Sequence, residues 1–328
     1  MSKLPLRGIA FCLIPPLIWG GMFPIANALA PTVNMFAMTL IRYAVVALLL
    51  ALMLVRLEGA SAFRFAGHGP RLFLLGSAGF AGFGLLAFTA LSYTSSTNVS
   101  LIMAMMPAIS AVLAAASARR LPPLYTVTAI AIAFAGVSLV LTGGDYTHLI
   151  SAGDALGELL ALLGAICWVV YTRGAAAVPS WSTLRYTTIT TVLGVPSIAA
   201  ATVVATAVGY VDSPNLGAVL AGWPELSYLI VLAGVVAVLC WNAGNKALGP
   251  INGTLFMNLV PITTFSIIGI ANLEMPSPAA ASGVVLVIVG LLVNNYCMRR
   301  SARPAQTVAP PSQEAELAVQ AGDRAATR

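Results

Sequence analysis

The chain has 328 residues, 59% of them hydrophobic and 8% charged, with 16 Lys and Arg against 10 Asp and Glu. That balance would leave a water-soluble domain with an apolar exterior, so lipid must be the solvent. The net charge of +6 is then a topology signal and not a nucleic-acid footprint, because the basic residues stand at the ends of apolar runs.

Ten apolar runs follow in chain order, at roughly 8–30, 33–55, 72–93, 97–118, 123–142, 154–173, 183–208, 226–248, 252–271 and 278–298. They lack the alternation of barrel strands, and every backbone N–H and C=O crossing hydrocarbon needs an internal partner, so the runs predict helices. Lys3 and Arg7 precede the first run, but Pro15, Pro16 and Trp19 interrupt it and no small-residue cleavage site follows cleanly, which reads as a retained first span. Cys12, Cys167, Cys240 and Cys297 all lie in apolar runs and read as small buried hydrophobes, so neither a disulfide nor a metal or cofactor is expected.

Lys3, Arg7, Arg56, Arg64, Arg71, Arg119, Arg120, Arg173, Lys246, Arg299, Arg300 and Arg303 all fall at one set of span ends. The opposite set carries Asp145, Asp154, Asp212, Glu225 and Glu274 and no Lys or Arg, so both termini are expected in the cytoplasm. Residues 301–328, rich in Pro and in small or charged residues, have too little apolar content to fold alone and are expected to be a disordered tail.

The chain repeats itself. Asn98 falls on Asn252, an offset of 154, and without a gap Ser100 falls on Thr254, Met103 on Met257, Pro107 on Pro261, Pro122 on Pro276 and Gly136 on Gly290. With small gaps Trp19 meets Trp168, Arg42-Tyr43 meets Arg185-Tyr186, and Ala90-Leu91 meets Ala247-Leu248. Five spans per half is an odd number, which sends the second half into the membrane from the opposite side. The expected fold is an all-α membrane protein of ten transmembrane helices, as two inverted five-helix repeats over residues 1–150 and 151–300. Such folds place a shared site between the halves.

Candidate site residues sit near the middle of these runs. Trp241, Asn242, Asn245 and Lys246 fall at helical spacings along one stripe of span eight. The amides either hydrogen-bond between helices or meet the amino and carboxyl groups of a substrate, and Lys246 reads as an interfacial anchor. Thr254, Asn258 and Pro261 in span nine match Ser100, Ala104 and Pro107 in span four. Each proline frees the carbonyl four residues earlier, Met103 or Met257, and kinks its helix. Trp19 and Trp168, followed by Phe23 and Tyr171, lie too deep for an interfacial belt and either line a cavity or pack helices. Tyr93 and Asn98, at the junction of spans three and four, are placed at an external mouth. Arg42 stands about nine residues into span two with no equally deep carboxylate, which leaves carboxylate binding or capping of kinked-helix carbonyls. Gly76, Gly79, Gly82 and Gly84 would let helices approach closely.

Absences narrow the mechanism. His68 and His148 lie in loops, and Glu158, about four residues into span six, is the only acid inside a span, so a proton relay is missing. No paired aspartates, Ser-His pair or metal-ligand set lies at membrane depth, and no phosphate-binding glycine loop is present, which argues against an enzyme or an ATPase.

The Trp19-Gly20 stretch, Arg42, the Pro107 and Pro261 spans, and the Glu274-x-Pro break leading to Gly290 resemble the EamA-type exporters of the drug/metabolite transporter superfamily over nearly all of residues 8–298. The resemblance implies ten helices, a central cavity lined by both halves, and export of amino acids or related metabolites across the bacterial inner membrane. One departure is Arg120, where many relatives, like the second repeat here, have Glu, so Glu274 alone can serve whatever role that acid has. The expected function is a monomeric secondary exporter of aromatic or other neutral amino acids by alternating access, with the bilayer and a small-molecule substrate as its only partners. Arg42 and Lys246 keep phosphate-bearing sugars or nucleotide-sugars as the alternative; a channel and a membrane-embedded enzyme are the competing classes.

Overall fold

The computed structural model describes residues 4–119, 121–145, 155–213, 215–271, 273 and 277–301, and these are helical or in turns, with no strand among them. Expectations for Arg120, His148, Asp154, Glu274, Pro276 and the tail beyond Ser301 fall outside the described residues. In chain order the apolar helices are α1 (Leu6–Leu29), α2 (Met35–Glu58), α3 (Gly69–Ala90), α4 (Asn98–Ala118), α5 (Leu124–Val140), α6 (Ala155–Ala177), α7 (Thr183–Ala207), α8 (Trp223–Leu248), α9 (Pro250–Ile270) and α10 (Pro278–Asn294). Eight of them are long and apolar enough to cross a membrane; α5 and α10 are shorter over these bounds, though their helical backbones run on to Thr142 and Ser301.

Local chemistry sets the ends. Asn34 accepts from the Ala37 N–H at 2.8 Å, Ser95 from Asn98 at 3.1 Å and Ser182 from Arg185 at 2.9 Å, each satisfying one orphan donor of a first turn. Gly249, at φ +82°, makes the abrupt turn from α8 into Pro250, a backbone conformation that a side chain would strain.

Packing between the halves is reciprocal. Helix α1 lies on α8 as α6 lies on α3, while α2 pairs with α7 and α5 with α10. The closest approaches obey the same exchange. A methyl added to Gly8 would stand 2.9 Å from the Ala247 Cβ, and one on Gly157 would stand 3.0 Å from the Ala90 carbonyl oxygen. On α5 and α10 the corresponding distances are 2.6 Å from Gly136 to the Gly283 oxygen and 3.0 Å from Gly290 to the Ala129 oxygen. Ala129 precedes Gly136 where Gly290 follows Gly283, so α5 and α10 run antiparallel. Helices α2 and α7 do too, because Thr188 bonds the Leu50 carbonyl at 3.3 Å and Thr202 the Phe36 carbonyl at 3.5 Å. Of the glycines in α3, Gly76 meets the α7 backbone, Gly79 and Gly82 meet Tyr171 and Cys167 of α6, and Gly84 meets Thr39 of α2.

Four helices are not regular. Wide π turns interrupt α3 at Ser77–Gly82 and α8 at Tyr228–Val236. Helix α4 breaks between Met103 and Met106, where the Ala104 N–H reaches back to Leu101 at 3.1 Å and that of Met105 to Ile102 at 3.0 Å. Helix α9 tightens in the same way over Leu255–Asn258. The break in α4 immediately precedes Pro107, and the tight segment of α9 ends three residues before Pro261; the nitrogens of both prolines cannot donate.

Candidate functional site

Three indoles from both halves meet at the centre of the bundle. Trp19 of α1 stands edge-on to Trp168 of α6 with centroids 5.4 Å apart, and is tilted against Trp241 of α8 at 5.5 Å. Phe83 and Tyr171 flank Trp168 at 5.0 and 5.1 Å. The indole N–H groups are treated differently: that of Trp19 donates to the Ala233 carbonyl inside the α8 π turn at 3.0 Å, and that of Trp241 to the Thr172 hydroxyl at 2.9 Å. The Trp168 N–H is buried without a partner among the described residues.

Beside these rings lies a small central chamber of about 10 Å³, room for about one water molecule, whose walls include Trp19, Phe23, Arg42, Phe83, Trp168 and Met257. Arg42 is 1% exposed. Its guanidinium lies 4.8 Å from the Tyr43 ring centre and 5.5 Å from that of Phe88, and its Nη2 donates to the Met22 thioether at 3.4 Å.

Towards the C-terminal end of α8 opens a larger vestibule of about 280 Å³, lined by Thr172, Trp181, Tyr186, Asn242, Asn245 and Lys246 among others. The Asn242 amide donates to the Tyr171 hydroxyl at 2.6 Å and to the Thr187 hydroxyl at 2.8 Å, leaving its Oδ1 without a partner. Asn245 donates to the Trp241 carbonyl one turn back at 2.9 Å, and its Oδ1 is likewise unpartnered. Both residues line the vestibule, and an amide oxygen turned into it would suit an ammonium group, but in this structure both oxygens are shielded and that of Asn245 packs against Gly253. At its mouth the Lys246 ammonium donates to the Trp181 carbonyl at 2.6 Å, the Arg185 guanidinium stacks on the Trp181 ring at 3.9 Å, and Ser182 donates to Glu58 at 2.5 Å.

The structure thus brings Trp19, Arg42 and Trp168 to one chamber and Asn242 and Asn245 to the adjoining one, with Trp241 and Tyr171 between them. Asn258 is buried, donates to the Leu255 carbonyl at 2.9 Å and lines neither chamber, although its neighbour Met257 does. Pro107 and Pro261 stand behind Met103 and Met257, whose side chains reach the central chamber. Tyr93 and Asn98 are elsewhere, at the end of the bundle opposite the vestibule. There the Tyr93 and Tyr210 hydroxyls meet at 3.1 Å, Phe36 stands edge-on to Tyr210 at 6.0 Å, and the Asn34 amide donates to the Asp212 carbonyl at 2.7 Å. The bond to Tyr93, ahead of burial, raises the Tyr210 phenol above its ordinary pKa of 10.0. Asn98 donates to Thr94 at 3.1 Å and to Glu158 at 3.5 Å, and Glu158 occupies the first turn of α6, where a helix dipole favours an acid.

Sequence reasoning missed the vestibule's far wall. Thr172 and Trp181 carry no spacing signal, since one holds an indole and the other lies in a loop. The alignment of Arg42-Tyr43 with Arg185-Tyr186 could have flagged Tyr186, whose hydroxyl donates to the Tyr171 carbonyl at 2.7 Å. No group of three or more His, Cys, Asp or Glu side chains suited to a metal occurs among the described residues.

Two consecutive stretches, residues 6–142 and 155–296, match the EamA-like transporter family. The chain is 35% identical over 297 residues to "Uncharacterized transporter YrdR" of Bacillus subtilis (strain 168), across 89% of this chain and 92% of that one. It is 29% identical over 259 residues to "Uncharacterized transporter YyaM" of the same organism, across 79% and 83%. A solved structure titled "Crystal structure of protein" superposes with a TM-score of 0.70 at 19% identity, over 92% of this chain and 99% of that one, a likeness of fold.

Proposed function

The chain belongs to the EamA-like transporter family, and from that premise we propose that it is a secondary exporter of aromatic or other neutral amino acids, working by alternating access in a bacterial inner membrane. The observation that carries the reading is the pair of adjoining chambers between the halves, one walled by aromatic rings and the other supplied with unpartnered amide oxygens. A flat apolar side chain suits the indoles and an ammonium suits the oxygens. Within the family we read the sequence as similar to the bacterial aromatic amino acid exporter YddG, which points to the same substrate class; the two Bacillus subtilis relatives are named only as uncharacterized transporters.

Ten membrane-crossing helices in two inverted repeats are supported by the reciprocal contacts and by the antiparallel course of the equivalent helices α2 and α7, and α5 and α10. Arg64, Arg185 and Lys246 crowd the vestibule end, so the vestibule faces the cytoplasm by the positive-inside rule, which puts both termini there. The working unit is a monomer.

Purified protein in liposomes tests this. Labelled phenylalanine or tryptophan should exchange against unlabelled substrate saturably and without ATP, and collapsing an imposed pH gradient should leave exchange unchanged, since no carboxylate among the described residues lines either chamber. Non-saturating flux would favour a channel. Absence of exchange for every aromatic amino acid would end the substrate assignment.

A further inference from the structure

Arg42 is the least accounted-for group in the molecule. It is buried at the centre of the bundle, and its Nε and Nη1 have no hydrogen-bond partner among the described residues. Of the two roles open to it, carbonyl capping finds no carbonyl: its one hydrogen bond goes to the Met22 sulfur, a weak acceptor. The rings of Tyr43 and Phe88 offset part of the cost of burial, as aromatic faces do for a cation. They supply neither a negative charge nor in-plane acceptors for the remaining N–H groups. No Asp or Glu among the described residues lines the chamber. Burying such a charge costs several kcal/mol, and at membrane depth it marks a site that meets its counter-charge in use.

We propose that Arg42 is the carboxylate subsite of the central chamber, and that the transported molecule must carry one carboxylate next to an aromatic or other apolar group. This rests on the reading of the chamber as the place where an aromatic substrate is held, and it requires the rocking of the halves to widen the chamber beyond the single-water space it has here. Approaching the Nη1–Nη2 end of the guanidinium, a carboxylate displaces only a thioether and gains charge-assisted bonds. One arginine balances one negative charge. Among the described residues no second cation lines the chamber, and Lys246 belongs to the vestibule and is spent on the Trp181 carbonyl, so a phosphate dianion would be left half-compensated. The chamber offers the amino group beside that carboxylate only neutral partners such as the indole faces, so the carboxylate is the stricter requirement.

The test is a binding panel read by quenching of intrinsic tryptophan fluorescence on the full-length protein in detergent, with phenylalanine, 3-phenylpropionate, phenylalaninamide and phenyl phosphate as probes. Phenylalanine and 3-phenylpropionate should bind, while the amide and the phosphate should bind at least about thirtyfold more weakly, the scale of leaving one member of a buried charge pair alone. Arg42→Gln should weaken the two carboxylates by a similar factor and leave the amide unchanged; Arg42→Lys should recover part of the loss. The ligand series needs no variant, so it decides the matter even if Arg42→Gln misfolds. Phenylalaninamide binding as well as phenylalanine would overturn the subsite while leaving the aromatic chamber standing. If no member of the panel binds, the aromatic-substrate reading falls and this proposal with it.

Discussion

If the two halves exchange access by rocking, the contacts that close the end opposite the vestibule set the ratio of the two states, and the Tyr93–Tyr210 pair is the most exposed of them. Its 3.1 Å separation is long for a bond between hydroxyls, and the rings are 37% and 55% exposed, so its net contribution lies at the low end of the usual range, about 0.5 kcal/mol. Tyr210→Phe removes only this bond and keeps the edge contact with Phe36, which predicts an approximately twofold shift toward the opened state. Tyr210→Ala also removes the ring contact, for a total of about 1–2 kcal/mol and a shift of about five- to thirtyfold. Thr89 lines the grooves on both sides of Tyr210, and its hydroxyl is shielded from solvent. Thr89→Cys in a background lacking the four native cysteines should therefore react with a membrane-impermeant maleimide at a rate proportional to the opened fraction. Tyr93→Phe should match Tyr210→Phe, and the double variant should add nothing, because both delete the same bond. Additive effects, or a Tyr210→Ala rate equal to the parent's, would refute the idea that this pair holds the end shut.

Three further outcomes follow from the same geometry. Alanine at Gly76, Gly136 or Gly283 would place a methyl 2.1, 2.6 or 2.5 Å from a backbone oxygen, and at Gly290 3.0 Å, so stability should fall by about 1–3 kcal/mol for each of the first three, and the melting temperature in detergent should drop most for these and least for Gly290→Ala. Asn242→Ala leaves the Tyr171 and Thr187 hydroxyls short of a donor and removes the vestibule oxygen, so phenylalanine exchange should fall at least about tenfold with a stability loss of about 1–3 kcal/mol, while Trp168→Phe keeps an apolar face and should retain exchange. The Tyr210 phenol is raised in the closed state, so the closed state binds its proton more tightly; that stabilisation is complete below pH 10 and is lost as pH rises through the raised value. Labelling of Thr89→Cys, corrected for thiol ionisation with a free thiol, should therefore be flat at neutral pH and rise above pH 10, with no such rise in Tyr210→Phe.

Lipid as solvent makes the spans legible, because a helix in hydrocarbon announces itself by composition alone. The repeat was legible for a different reason: Gly136 and Gly290 occupy equivalent close crossings, where small residues are needed, and that need preserves a register. The π turns of α3 and α8 carry no such mark. They depend on which backbone register lets carbonyls such as that of Ala233 reach a partner, here the Trp19 indole, from another helix. Asn245 illustrates a second limit: spacing put it on the Asn242 face, but an amide can turn back on its own helix, and its bond to the Trp241 carbonyl is a local choice. Arg42 is a third, since its depth could be counted along span two whereas its surroundings come from α1, from α3 and from Tyr43 beside it.

What the duplication supplies is shape; what divergence supplies is direction. In the register that sets Ala90-Leu91 on Ala247-Leu248, the residues facing Asn242, Asn245 and Lys246 are Leu85, Phe88 and Thr89. The vestibule of the second half therefore presents amides and an ammonium, whereas its counterpart beside Tyr93 is walled largely by Leu85, Leu86, Leu156 and Leu160. A zwitterion entering at the vestibule meets two amides with unpartnered oxygens, whereas the one amide in the grooves at the other end, Asn34, is spent on the Asp212 carbonyl and the Ala37 N–H, and its companions there are the hydroxyls of Thr89 and Ser92, two phenols and leucines. Losing one or two hydrogen bonds to a charged group costs about 1.5–3 kcal/mol each, so KM for phenylalanine should be at least about tenfold lower from the vestibule side. An uncoupled carrier must have the same Vmax/KM in both directions, so the lower KM comes with a proportionally lower Vmax. Oriented vesicles report both constants; equal KM values on the two faces would show that the amides position helices and do not hold substrate.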